Sequence, residues 1–196
     1  MVLPIIAFGD TILRKKGEAI NSDYIGLKKL IDDMFETMQV ASGIGLAAPQ
    51  VGHSIRLFIV DTITALKHFE EDTEIENIFE GEKGINQIFI NAKILKKEGE
   101  KCNYNEGCLS IPKIREDIVR HDEVTIQYMD ENFKTHIKTF DGLAGRVIQH
   151  EYDHIEGVLF VDYLNPLKKR LIKKKLDNIS RGIVSVDYRM KFPLKK

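Results

Sequence analysis

At 196 residues the chain has the length of a single domain, with a core that needs no disulfides. A formal net charge of -1, with 43% hydrophobic and 30% charged residues, gives no overall signature of nucleic-acid or membrane binding, and no apolar run approaches the length of a membrane span. The two cysteines, Cys102 and Cys108, have no framework around them and favour reduced thiols in a cytoplasmic protein.

The opening MVLPIIAFGD has an apolar run but no basic region before it and is soon interrupted by Asp10, so it does not read as a signal peptide. A first helix is predicted over residues 23–38, capped by Ser22 or Asp23, with Leu27, Leu30, Ile31, Met34, Phe35 and Met38 on one face. Residues 41–52, ASGIGLAAPQVG, are too rich in glycine and small side chains for a second packed helix; they let backbone come close to something else. No GxxxxGK[ST] is present, so a phosphate loop is not indicated. Residues 56–63 and 85–94 are strand-like, and between them 67–82 is dense in acids and reads as a solvated excursion that contains a short helix at most. Residues 124–129 and 133–140 form a hairpin around Asp130-Glu131-Asn132.

The segment 140–160, FDGLAGRVIQHEYDHIEGVLF, carries His150-Glu151-x-x-His154, in which two imidazoles one helical turn apart grip a metal while the glutamate handles protons. At about 100° per residue, Leu143, Val147, His150 and His154 share one stripe, and Ala144, Ile148, Tyr152 and Ile155 a second beside it. Arg146, Gln149, Asp153 and Glu156 form the polar face. Glu151 falls between the apolar stripes, where a solvated carboxylate would be out of place. Asp141 fits an N-cap and Gly157 a left-handed C-terminal residue. Asn165-Pro166 then starts a last helix, with Leu167, Leu171, Ile172, Leu176 and Ile179 as its apolar face and Lys168, Lys169, Arg170, Lys173, Lys174 and Lys175 as its basic one.

A catalytic metal takes three protein ligands and leaves a position for water. The extension HExxHxxGxxH fails because Phe160 stands where the third histidine belongs, and the only glutamate after His154 is Glu156, on the wrong helix face. The third ligand must come from upstream. Cys108 is the best candidate, with Cys102, His53, His68, His121 and His136 in polar or loop-like contexts.

Gly43-Ile44-Gly45-Leu46-Ala47-Ala48-Pro49-Gln50, Glu106-Gly107-Cys108-Leu109-Ser110 and Gln149-His150-Glu151-Tyr152-Asp153-His154 resemble, in order, the three signature motifs of bacterial peptide deformylases. The resemblance runs from the N-terminus to about Leu176 and implies one α+β domain over 1–196, antiparallel sheets around a central buried helix carrying HExxH. The acidic stretch 67–82 departs from it as an insertion, and the tail after about 176 as a non-standard ending; neither is expected to touch a signature motif. The implied reaction removes the formyl group from the N-terminal formylmethionine of new polypeptides. Cys108, His150 and His154 would hold one divalent ion, Fe(2+) in the cell and Zn(2+) in purified material. Glu151 would serve as general base and then acid, and the Gln50 amide and Leu109 N–H would meet the oxyanion. Gly45 would offer its backbone to the peptide, with Ile44, Leu143 and Val147 walling the methionine pocket and Glu106 and Gly107 also along the substrate. Tyr104 is a further candidate for that wall, and Arg115 either meets the substrate backbone or pairs with a surface acid. A monomer off the membrane, with a ribosome contact through the basic last helix, completes the expectation. A zincin-type peptidase and a structural zinc module are the alternatives; the first lacks its third ligand, and the second would close its site with four protein ligands.

Overall fold

The computed structural model describes residues 1–69 and 82–193. Its frame is a five-stranded antiparallel sheet in the order β2 (Gly45–Ala47), β3 (Leu57–Asp61), β4 (Asn86–Cys108), β5 (Ile111–Met129) and β6 (Thr135–Phe140). A short parallel pair joins β1 (Ile5–Ile6) to β7 (Met190–Lys191). The architecture is α+β, as expected, although the second sheet is parallel.

Helix α1 (Leu27–Val40) starts later than its sequence suggests, because Gly26 takes a left-handed φ of 80° and acts as the N-cap. Its predicted apolar face is buried, apart from the half-buried Phe35. Strand β3 stops at Asp61, whose carboxylate accepts from the Thr64 N–H at 3.1 Å and turns the chain into α2 (Thr62–Phe69). The acidic segment beyond α2 lies outside the described residues up to Glu82. Glu82 itself is half-buried and accepts from the Leu143 N–H with both carboxylate oxygens at 3.1 Å.

That contact caps α3 (Gly142–Ile155), the helix carrying both histidines. Asp141 is the N-cap by backbone geometry but makes no side-chain cap bond, and Gly157 ends the segment at φ 74°. The helix lies against β2, β3, β5 and β6. Its polar face is not solvated: Arg146, Gln149 and Asp153 are as buried as the apolar stripes, because the β4–β5 ribbon folds over them. Helix α4 (Pro166–Ser180) begins as read, with Asn165 accepting from the Lys168 N–H at 2.9 Å. It buries Ile172 and Ile179, whereas Leu167 and Leu171, expected on the same face, are 67% and 71% exposed. No helix among the described residues is long and apolar enough to cross a membrane.

Candidate metal centre

Cys108 is the last residue of β4, and His150 and His154 lie one turn apart on α3. Just before Cys108 the ladder slips, from Gly107 opposite Arg115 to Cys108 opposite Ile111, and this bulge frees the end of the strand to turn its thiol toward the helix. The ligand atoms of the three residues all lie within 4.8 Å of one another, the one such group among the described residues. Cys108 Sγ is 3.3 Å from His154 Nε2. A thiolate and an imidazole bound to one ion at ordinary bond lengths stand roughly 3.5 Å apart, so the spacing fits a shared centre. The donor set of one soft sulfur and two imidazoles suits zinc or ferrous iron.

The charges around it fit as well. Glu106 is buried and accepts from Arg120 Nε at 2.7 Å, Arg120 Nη2 at 3.0 Å and Arg146 Nη1 at 3.1 Å, and its Oε2 lies 3.0 Å from His150 Nδ1. With Nδ1 turned to the carboxylate, His150 keeps Nε2 for the centre, the orientation that an outer carboxylate imposes on metal-binding histidines. Burial opposes ionisation of Glu106, but His150 and Arg120 outweigh it and hold the carboxyl well below its usual range. Burial likewise opposes charge on His150, yet Cys108 and Glu106 hold its imidazole well above its ordinary value. The direction of that shift matches the charge that a cation would bring. His154 is held well below its ordinary value by burial and by His150, which favours its neutral imidazole, the form a metal would need.

Glu151 is 4% exposed, and its Oε2 has no hydrogen-bond partner among the described residues. Burial pushes its carboxyl up to about 7, a value suited to taking and returning a proton near neutral pH. It packs on Gly45: a Cβ there would stand 2.6 Å from Glu151 Oε1 and 2.8 Å from both Glu151 Cγ and Val147 Cγ1. Among the described residues the sheet ends at β2, which pairs with β3 alone and leaves its other edge free. A 3-10 turn (Ala48–Val51) follows and buries Gln50. Its Oε1 accepts from the Ala47 N–H at 2.8 Å, so Nε2 is the end turned toward the centre, 3.5 Å from Cys108 Sγ and 3.3 Å from Ser110 Oγ.

Of the other expected residues, Leu143 and Val147 share one core cluster with Ile44 packed against it, and Leu143 is fully buried. Glu106, expected along the substrate, instead lies behind His150. Gly107 is half-buried and Arg115 lies across it, with a Cβ there 2.9 Å from the guanidinium. Arg115 bonds Asn105 through its side chain at 2.9 Å and its backbone carbonyl. The Tyr104 ring lies 5.8 Å from the Arg146 guanidinium. His53, His121 and His136 bond Tyr24, the Gly99 carbonyl and Asp130, Cys102 is exposed, and the His68 side chain lies outside the described residues. Sequence reasoning missed Arg120, which joins Glu106 to Asp153 (2.7 Å) and stacks over the Tyr163 ring, while the Tyr163 hydroxyl donates to Asp153 at 3.0 Å. It also placed the tail clear of the motifs, whereas the Tyr188 hydroxyl donates to the Leu109 carbonyl at 2.8 Å.

The model of the polypeptide deformylase family matches residues 2–170. The peptide deformylase of Flavobacterium johnsoniae is 54% identical, over 100% of this chain and 98% of its own length, and that of Christiangramia forsetii is 51% identical, over 98% and 97%. Among solved structures, a Legionella pneumophila peptide deformylase aligns with a TM-score of 0.76 at 35% identity, covering 93% of this chain and 98% of that one. The Arabidopsis thaliana peptide deformylase 1B in complex with an inhibitor aligns at 0.77 with 32% identity, covering 92% of each.

Proposed function

The chain belongs to the polypeptide deformylase family, and from that premise we propose how its own residues remove the formyl group from formyl-Met polypeptides. The observation that carries the reading is the Cys108, His150 and His154 group beside a buried Glu151 whose Oε2 lacks a partner among the described residues. Cys108, His150 and His154 would hold the ion, ferrous iron in the cell and zinc in purified material. Bound there, a divalent ion supplies Lewis acidity to the formyl oxygen and lowers the pKa of a water.

The rest is protein chemistry. The Glu151 carboxylate takes the proton of the attacking water and returns it to the leaving nitrogen. Gln50 Nε2 and the Leu109 N–H donate to the oxygen as it becomes negative; such a donor contributes about 2.7–4 kcal/mol to lowering the barrier. The free edge of β2 at Gly45 receives the extended peptide as an added strand, and Ile44, Val147 and Leu143 form the apolar side of the methionine pocket. Glu106 keeps His150 in the correct tautomer. A single copy of the chain carries every group named, and newly made chains as substrate imply the cytoplasm. Formate release from a formylated Met-peptide, with its unformylated counterpart as control, tests the reading; cleavage of internal peptide bonds instead would point to a peptidase.

Gly45 is needed for space. It lies in ordinary strand backbone, so alanine is not strained there, but its methyl would displace Glu151. Gly45→Ala is expected to lower kcat up to about 10²-fold, the effect of moving a reacting group by about 1 Å, with metal content unchanged. Near-normal kcat in a metal-loaded variant would refute the packing argument.

The exposed face of α4 is proposed to meet the ribosome. Leu167 and Leu171 stand out from a helix that also carries six basic side chains between Lys168 and Lys175, a combination that meets phosphate backbone and an apolar patch together. Changing Lys169, Lys173, Lys174 and Lys175 to glutamine should weaken ribosome binding and flatten its salt dependence without altering small-peptide kinetics. Unchanged binding rejects the contact.

A further inference from the structure

The family model ends at residue 170, but the chain continues, and its tail returns to the centre. The return is anchored at two levels. The Ile5 N–H donates to the Arg189 carbonyl at 2.8 Å and the Ala7 N–H to the Lys191 carbonyl at 2.9 Å, while Val184, Met190 and Phe192 pack against the same core cluster as Cys108. Tyr188, immediately before this pairing, therefore has a fixed position.

Its target is a turn that needs holding. Cys108 pairs with Ile111, so Leu109 and Ser110 alone connect β4 to β5. Two-residue hairpin loops favour turns with positive φ, and neither Leu109 nor Ser110 adopts one. The loop is instead pinned from three distant places: Phe8 N–H to the Ser110 carbonyl at 2.9 Å, Gln50 Nε2 to Ser110 Oγ at 3.3 Å, and the Tyr188 hydroxyl to the Leu109 carbonyl at 2.8 Å. Two of these hold Ser110, whereas Tyr188 holds Leu109 itself.

We propose that Tyr188 is a positioning residue of the oxyanion site: its hydroxyl fixes the Leu109 backbone so that the N–H of the same residue faces the reacting oxygen. The proposal rests on the assignment of the Leu109 N–H as oxyanion donor. Without the Tyr188 bond, Ser110 stays held, but the Leu109 carbonyl loses its anchor, and the Leu109 φ and ψ that set the direction of the N–H are less restrained. The tail then belongs to the working site, supplied from 79 residues away in sequence.

The test uses the full-length, metal-loaded enzyme, with rates expressed per metal-containing site so that unfolded protein does not enter. Tyr188→Phe removes only the hydroxyl; kcat on a formyl-Met-peptide should fall about tenfold, less than the ~10²–10³-fold of losing a donor outright, with KM within about twofold. A second variant carries the α-hydroxy acid analogue of leucine at position 109, which replaces the N–H by an ester oxygen. It should lose about 10²-fold or more, and adding Tyr188→Phe to it should cost nothing further, because the two changes act on one interaction. If the ester lowers kcat and Tyr188→Phe does not, the positioning role is wrong and the oxyanion assignment stands. If neither lowers kcat, the oxyanion assignment fails and the positioning role with it. If both lower it and their effects multiply, Tyr188 acts elsewhere and the proposal is overturned.

Discussion

Glu151→Gln should lower kcat for formate release from a formyl-Met-peptide by about 10²–10⁴-fold while the metal stays bound. The amide keeps the size of the carboxylate and its packing on Gly45, so α3 and the three ligands have no reason to move. It lacks the basicity to accept the water's proton, and in the proposed mechanism the same residue serves both proton steps. Glu106 is no substitute, being engaged by Arg120, Arg146 and His150 and held well below its usual range. Burial pushes Glu151 up to about 7, where a group can both take and give a proton near neutrality. Formate assay beside metal analysis checks the result. Near-wild-type turnover in a metal-loaded variant would remove Glu151 from the reaction.

The sequence made the centre of α3 legible because helical spacing and ligand chemistry agree there: two histidines on an apolar stripe and a carboxylate between stripes cannot all be ordinary surface groups. The same periodicity misplaced Arg146, Gln149 and Asp153, since a polar face reads as solvated unless its partners are visible. Those partners, Arg120 and Glu106, belong to a ribbon distant in sequence, and nothing local in Ile118-Val119-Arg120 marks the arginine as buried. The strand-like pattern stops at residue 94, short of the end of β4, for a related reason. Its continuation through Lys96, Lys97, Glu98 and Glu100 is exposed, with no apolar alternation, and is held by its ladder to β5. Helix α4 shows the opposite error, for Leu167 and Leu171 fit the apolar period but face outward. Tyr188 had no sequence signal, because its role exists only once β1 and β7 pair.

Cys108→Ser should abolish activity by a different route, through loss of the ion. Serine keeps the shape of the turn but replaces a thiolate with a neutral hydroxyl, a weak ligand for zinc or ferrous iron. Loss of an outer partner of a ligand typically costs about 10–100-fold in metal affinity, so loss of a ligand should cost more than about 100-fold. His150 and His154 remain, with Glu106 still orienting the first, yet two imidazoles leave the pocket one donor and one negative charge short. A readout independent of catalysis follows from linkage. An ion that binds only the folded chain stabilises it by about 2.7 kcal/mol at a hundred times its Kd, so a chelator should lower the Tm of the wild-type enzyme. The serine variant, with nothing to lose, should melt at the same temperature with and without chelator. One equivalent of metal bound at wild-type affinity in Cys108→Ser would show that the third ligand lies elsewhere. Glu151→Gln should keep the chelator-dependent shift in full, which separates the group that moves protons from the group that holds the ion.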